Sequence, residues 1–117
     1  GAIGDHFQAL VARGHHSPFL GREVAHKPSP ESAHECVRVW GLTGRFPLVT
    51  QTDAEPAAHP ELLFVGDDID DCRCGRRAGF EAALLEERGA RRFEGNAAAR
   101  RRVTSLAEVA RWLAVRG

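Results

Sequence analysis

The sequence contains no methionine in 117 residues and begins at Gly1. That suits a piece of a longer chain. Neither sign of charge is in excess, with 16 Lys and Arg against 16 Asp and Glu. Such a chain has no global field to draw it to nucleic acid or to an anionic membrane. Cysteine is scarce, and its number, three, is odd. A secreted disulfide framework is therefore not expected, and a reducing, cytoplasmic setting is. No apolar run approaches the roughly 18 residues of a membrane span, and no signal peptide is visible. There are no internal repeats. What remains is one small globular domain of ordinary apolar content, 43%.

The hydrophobic pattern predicts alternating elements. Residues 5–13 (DHFQALVAR) read as a short amphipathic helix, with Asp5 as N-cap, Phe7, Leu10 and Val11 on one face, and Gly14 as the stop. A short strand is expected within residues 17–24, around Phe19 and Leu20. After Lys27-Pro28-Ser29-Pro30, Ser29 or Pro30 opens a helix running to about Trp40, with Ala33, Val37 and Trp40 as its stripe and Gly41 closing it. Residues 43–60 hold three prolines and show no period; they read as a surface insertion. Residues 62–65 are continuously apolar, which suits a strand buried on both faces. A helix over 70–78, a strand over 80–85 and an arginine-rich loop over 86–102 follow. Ser105 and Glu108 form a capping-box pattern opening a last helix to about Val115. Alternation of this kind implies an α/β fold with a parallel sheet and flanking helices.

Chemistry concentrates in the stretch LLFVGDDIDDCRCGRRAGFEAALL, residues 62–85. Asp67, Asp68, Asp70 and Asp71 follow Gly66 at the carboxyl end of the predicted strand, where parallel α/β sheets bind ligands. Gly66 is expected to let the backbone turn sharply. Asp67 projects from the tip, and Asp71, four residues on, faces back from the first helical turn. Two converging carboxylates make a hard oxygen site of the kind Mg²⁺ takes, with several waters and a substrate phosphate. Acidic residues are also favoured at a helix N-terminus on dipole grounds alone. An EF-hand is excluded, because glycine and glutamate are missing at the required offsets.

Three pieces read in order carry a resemblance: Lys27 in KPSP ahead of a helix, then LLFVGDDIDD, then CGRRAGFEAALL with VTSLAEVARWL near the end. Together they resemble the C-terminal half of the haloacid dehalogenase-like (HAD) hydrolase core, with PFLGREVAHKPSPE similar to its phosphoglycolate-phosphatase-like branch. The resemblance spans most of residues 4–42 and 61–115. It implies a Mg²⁺-dependent phosphatase acting on a small phosphorylated metabolite. Asp67 would be a metal ligand, and Asp71 would hold the metal's waters or the lysine. Lys27 would neutralise the phosphoryl group and the nucleophile. Asp68 departs from the small Ser, Thr or Asn usual at its position.

The family's nucleophile, in an early Asp-x-Asp motif that forms an aspartyl-phosphate, has no counterpart here. Asp5 has no Asp partner, and Asp68 with Asp70 is followed by Cys72 where Thr or Val is expected. The expectation is a partial Rossmann-like core lacking the first two strands, completed by an N-terminal half in a longer chain and inactive without it. The two lacking strands would lie between the strand at 62–65 and the one near Phe19, leaving an apolar edge. The alternative is a non-catalytic relic or binding module that keeps the metal site. Dehalogenation, which needs no metal, is disfavoured by the paired Asp67 and Asp71.

Other clusters read as structural. Cys72 and Cys74 point to different helix faces, and Cys74 suits a buried small hydrophobe. Gly75 and Gly79 read as packing glycines, His15-His16 as a loop, and Arg22 and Glu23 as surface residues. Arg91, Arg92 and Arg100, Arg101 and Arg102 form a basic cluster, but no aromatic platform accompanies it, so nucleic acid is not an expected partner.

Overall fold

A computed structural model describes residues 14–86, 97–99, 101–105, 107–109 and 111. The helix expected over 5–13, Arg91, Arg92 and Arg100, and much of the last helix lie outside these residues.

The chain opens on a small antiparallel hairpin, β1 (His16–Ser17) with β2 (Arg22–Glu23). This corrects the strand expected around Phe19 and Leu20, which instead form the turn. Ser17 explains why. Its hydroxyl accepts the N–H groups of Phe19 and Leu20 at 3.2 and 3.1 Å, and its carbonyl accepts that of Gly21. Gly21 lies at φ +70, a left-handed conformation that glycine takes without steric cost. Phe19 is left exposed at the tip.

Helix α1 (Glu31–Trp40) starts after Pro30 and stops at Gly41, in the left-handed conformation, as the sequence implies. Its buried face carries Ala33, Cys36 and Val37. It also buries Glu35 completely, which the apolar stripe does not foretell.

Residues 43–58 have no regular structure, yet they are held in place. Phe46 enters the core. Arg76, itself buried, donates to the carbonyls of Asp53 and Glu55. Arg77 pairs with Asp53 at 2.7 Å, and His34 bonds the Val49 carbonyl at 2.6 Å.

Three strands form a parallel sheet in the order β3 (His59–Gly66), β4 (Phe80–Leu85), β5 (Arg102–Val103). Helix α2 (Ile69–Arg77) links the first two. One face, through Leu62, Phe64 and Phe80, packs on α1 and α2, with Ala82 and Leu84 meeting Cys72 and Ala98. The other, through Leu63, Val65, Ala83 and Val103, meets Val109. Both faces are thus lined with apolar side chains. Burial differs between strands, however. In β4, the central strand, Phe80, Ala82, Ala83 and Leu84 are buried. In β3 only Leu62 is, and Leu63, Phe64 and Val65 stay half-buried. The expectation of full burial for 62–65 is corrected by position: β3 is the outer strand of the described sheet.

Helix α2 sits close on β3 because Gly75 has no side chain. A Cβ there would stand 2.5 Å from that of Phe64. Gly79 ends the helix at φ +85, and a Cβ on it would meet Val49 at 2.6 Å. Cys72 and Cys74 are both fully buried, on opposite sides of α2, in separate apolar clusters. The architecture is α/β, a partial Rossmann-like core of parallel strands flanked by helices.

Candidate functional site

The carboxyl end of β3 runs through Gly66 into Asp67 and then α2. Asp67 is exposed at the tip. Asp68 is the N-cap of α2 in an extended conformation (φ −127, ψ 155), and its Oδ2 accepts the N–H of Asp70 at 3.1 Å. Asp71 answers from the third helical position: its Oδ2 accepts the N–H of Asp68 at 3.3 Å. This is a capping box in which aspartate serves at both ends. It gives Asp68 a local cause. Ser, Thr, Asn and Asp are the residue types that cap helices well, so an Asp here keeps the cap.

The φ of Gly66 is not positive, and what the residue provides at the strand end is closeness. A Cβ on Gly66 would lie 2.2 Å from Asp71 Cβ and 2.4 Å from its Oδ2. Only a residue without a side chain lets the Asp71 carboxyl fold back over the strand end.

Lys27 arrives from the segment between the hairpin and α1. Its Nζ donates to Asp71 Oδ1 at 2.7 Å across 44 residues of sequence. The two side chains are 34% and 17% exposed, so the pair is only partly screened by solvent. The same Nζ stands 5.4 Å from the centroid of the Phe64 ring. Of the residues singled out in sequence, Lys27 and Asp71 are therefore brought into contact, and Asp67 stands four residues before Asp71 at the same strand end.

Lys27 is held by the fold around it. Ser29 Oγ accepts the Glu31 N–H at the start of α1. Glu31 Oε1 accepts the N–H of Ala25, two residues ahead of Lys27, at 2.9 Å. Arg22 clamps the same carboxylate with both terminal nitrogens, at 2.7 and 3.1 Å. Arg22 is thus a surface residue whose side-chain partner is Glu31, and it also donates to the backbone carbonyl of Glu23. Arg22's hydrogen bond, then that of Ala25, holds the Glu31 carboxyl down at about 2.

The other reactive side chains have structural explanations. Burial pushes the Cys72 thiol up to about 12 and that of Cys74 up to about 11, and it raises Cys36 too. Burial of this kind favours the neutral thiol and suits all three to structural roles. His15 bonds Glu35 Oε2 at 3.0 Å, and Ser17 donates to Oε1 at 2.9 Å. Of the basic cluster, Arg101 faces Glu81 at 3.9 Å and Arg102 pairs with Glu86.

Among the described residues, no three His, Cys, Asp or Glu side chains converge as a metal cage, and no helix is long and apolar enough to cross a membrane. Sequence reasoning missed Phe64 as a neighbour of Lys27; only the fold brings residues 27 and 64 together.

No protein-family model matches the chain, and no solved structure matches it. Among curated proteins, the chain is similar to a haloacid dehalogenase-like hydrolase domain-containing protein of Arabidopsis thaliana, with 36% identity over 75 residues. That alignment covers 62% of this chain and 24% of the relative, so the chain spans about a quarter of the relative's length. The likeness supports the haloacid dehalogenase-like superfamily.

Proposed function

We propose that this chain is the C-terminal part of the core of a Mg²⁺-dependent phosphatase of the haloacid dehalogenase-like superfamily. Its substrate is a small phosphorylated metabolite in the cytoplasm. The reaction proceeds through an aspartyl-phosphate whose nucleophile lies in another part of the protein. The observation that carries the reading is the Lys27–Asp71 contact, 2.7 Å long, at the carboxyl end of a parallel strand, four residues beyond exposed Asp67.

Phosphoryl transfer asks the protein mainly for positioning and for positive charge against the phosphoryl oxygens. Lys27 supplies one such charge. Asp71 orients it, and the capping box orients Asp71. The donor set suits a hard cation that keeps most of its waters, because it offers two carboxylates and no nitrogen or sulfur ligand. Asp67 and Asp71 would hold it. Both Asp71 oxygens already accept one hydrogen bond, from Lys27 and from the Asp68 N–H. Asp67, exposed at the strand tip, would bear the closer contact. When bound, Mg²⁺ supplies further charge neutralisation to the phosphoryl oxygens.

The test is hydrolysis of p-nitrophenyl phosphate by the natural full-length protein, with and without Mg²⁺. Turnover should require Mg²⁺, and Asp67→Asn should lower kcat/KM by roughly 100-fold or more, the scale of losing one preorganised electrostatic group. Full activity in Asp67→Asn would overturn the metal role. A protein that binds Mg²⁺ without turnover would be a non-catalytic module that keeps the site. Metal-independent dehalogenation would point to the other branch of the chemistry.

A further inference from the structure

We infer that Phe64 is the positioning residue for Lys27, a rigid aromatic wall that sets where the ammonium stands at the mouth of the site. The inference rests on the reading of Lys27 as a phosphate-facing group. Lys27 Nζ lies 5.4 Å from the Phe64 centroid and 2.7 Å from Asp71 Oδ1, so two different attractions act on one charge. The carboxylate is a directional acceptor. The ring presents its negative face, which attracts the cation electrostatically without a second charged acceptor. A second carboxylate in place of the ring would neutralise the ammonium further; an aromatic face leaves its positive charge for the phosphoryl oxygens.

The ring is suited to this because it is fixed. Gly75 of α2 packs directly on its Cβ and Cγ, where a Cβ on residue 75 would come within 2.5 and 2.9 Å. Phe80 of the neighbouring strand meets it edge-on, with centroids 6.3 Å apart and planes at 66°. Leu62, two residues earlier on the same face of β3, is buried in the core, while Phe64 is half-buried at its margin. An apolar side chain whose purpose was burial alone would give the same packing as leucine. The aromatic face toward a lysine that also binds Asp71 is what leucine cannot reproduce.

The experiment is a double-mutant cycle on the full-length protein, read by kinetics and by NMR. In the wild type the Lys27 side-chain methylene protons should carry an upfield ring-current shift. Phe64→Leu should abolish that shift and lower kcat/KM for p-nitrophenyl phosphate by roughly 3- to 30-fold, the range of a cation–π contact. Phe64→Trp should restore both. In a Lys27→Ala background, Phe64→Leu should cost nothing further, as expected for two residues acting through one contact. Equal losses from Phe64→Leu with and without Lys27 would overturn the inference, as would an unshifted Lys27 resonance in the wild type. If Phe64→Leu does not fold, the wild-type resonance and Phe64→Trp still decide. A wild type with no turnover would overturn the phosphatase reading, while the ring-current shift would still test the place of Phe64.

Discussion

A methyl group on Gly66 would stand 2.2 Å from Asp71 Cβ, closer than real side chains approach. Asp71 cannot simply rotate away. Its carboxyl caps the Asp68 N–H with one oxygen and holds Lys27 with the other. Gly66→Ala should therefore push α2 off the end of β3 and break both contacts together. The expected cost is about 1–3 kcal/mol, the usual range for overpacking, accompanied by loss of turnover. Urea unfolding and p-nitrophenyl phosphate hydrolysis of the full-length variant would check it. A variant with wild-type stability and activity would mean that the approach of Asp71 to the strand is not needed.

At the scale of elements, the β1–β2 hairpin is joined to α1 by two carboxylates. Glu35 is fully buried. Burial raises its pKa, but hydrogen bonds from Ser17, His15 and Arg38 outweigh that and leave it below the ordinary value of 4.5. Glu31 lies at about 2. Both groups bind fewer protons folded than unfolded, so their stabilisation is full above pH 4.5. It fades as pH falls, for Glu31 as pH approaches 2. The hairpin should loosen in acid ahead of the sheet. Amide exchange followed from pH 6 to pH 3 should show protection of Leu20 and Val24 falling before that of Leu84. Glu35→Gln should weaken the same amides at neutral pH, at about 3 kcal/mol for breaking a buried ionic network. Glu31→Gln should do far less, because Arg22 is exposed. Simultaneous loss across all three amides would refute this order. The elements also show what was legible in the sequence. Helix α1, helix α2 and β4 follow from period, proline and glycine signals that act within a few residues. The hairpin does not, because the Ser17 hydroxyl overrides the apolar pair Phe19-Leu20. Nor is the burial of Glu35 legible, since two of its partners, His15 and Ser17, lie about 20 residues away in the chain. The acidic tip was readable as a candidate site because glycine, strand end and helix start are contiguous; the Phe64 wall was not, because it depends on packing across α1, α2 and β3.

For the whole molecule, the described strands of the sheet stand in the order β3-β4-β5. Among the described residues, no strand pairs with the outer edge of β3, whose Leu63, Phe64 and Val65 are half-buried. An outer edge that carries apolar side chains is a template for pairing with another chain. Zero net charge gives no repulsion to oppose association. The core behind it is shallow, since Ala82, Ala83, Ala78 and Ala98 fill much of it, and small side chains remove little apolar area from water. The 117-residue chain studied alone should therefore be marginal. We expect its sedimentation coefficient to rise with protein concentration, and its thermal transition to be broad and centred below about 45 °C, the low end for small domains. A sharp, concentration-independent unfolding transition of a monomer would show instead that this edge is already covered within the chain, and that the three-stranded sheet is a sufficient folding unit.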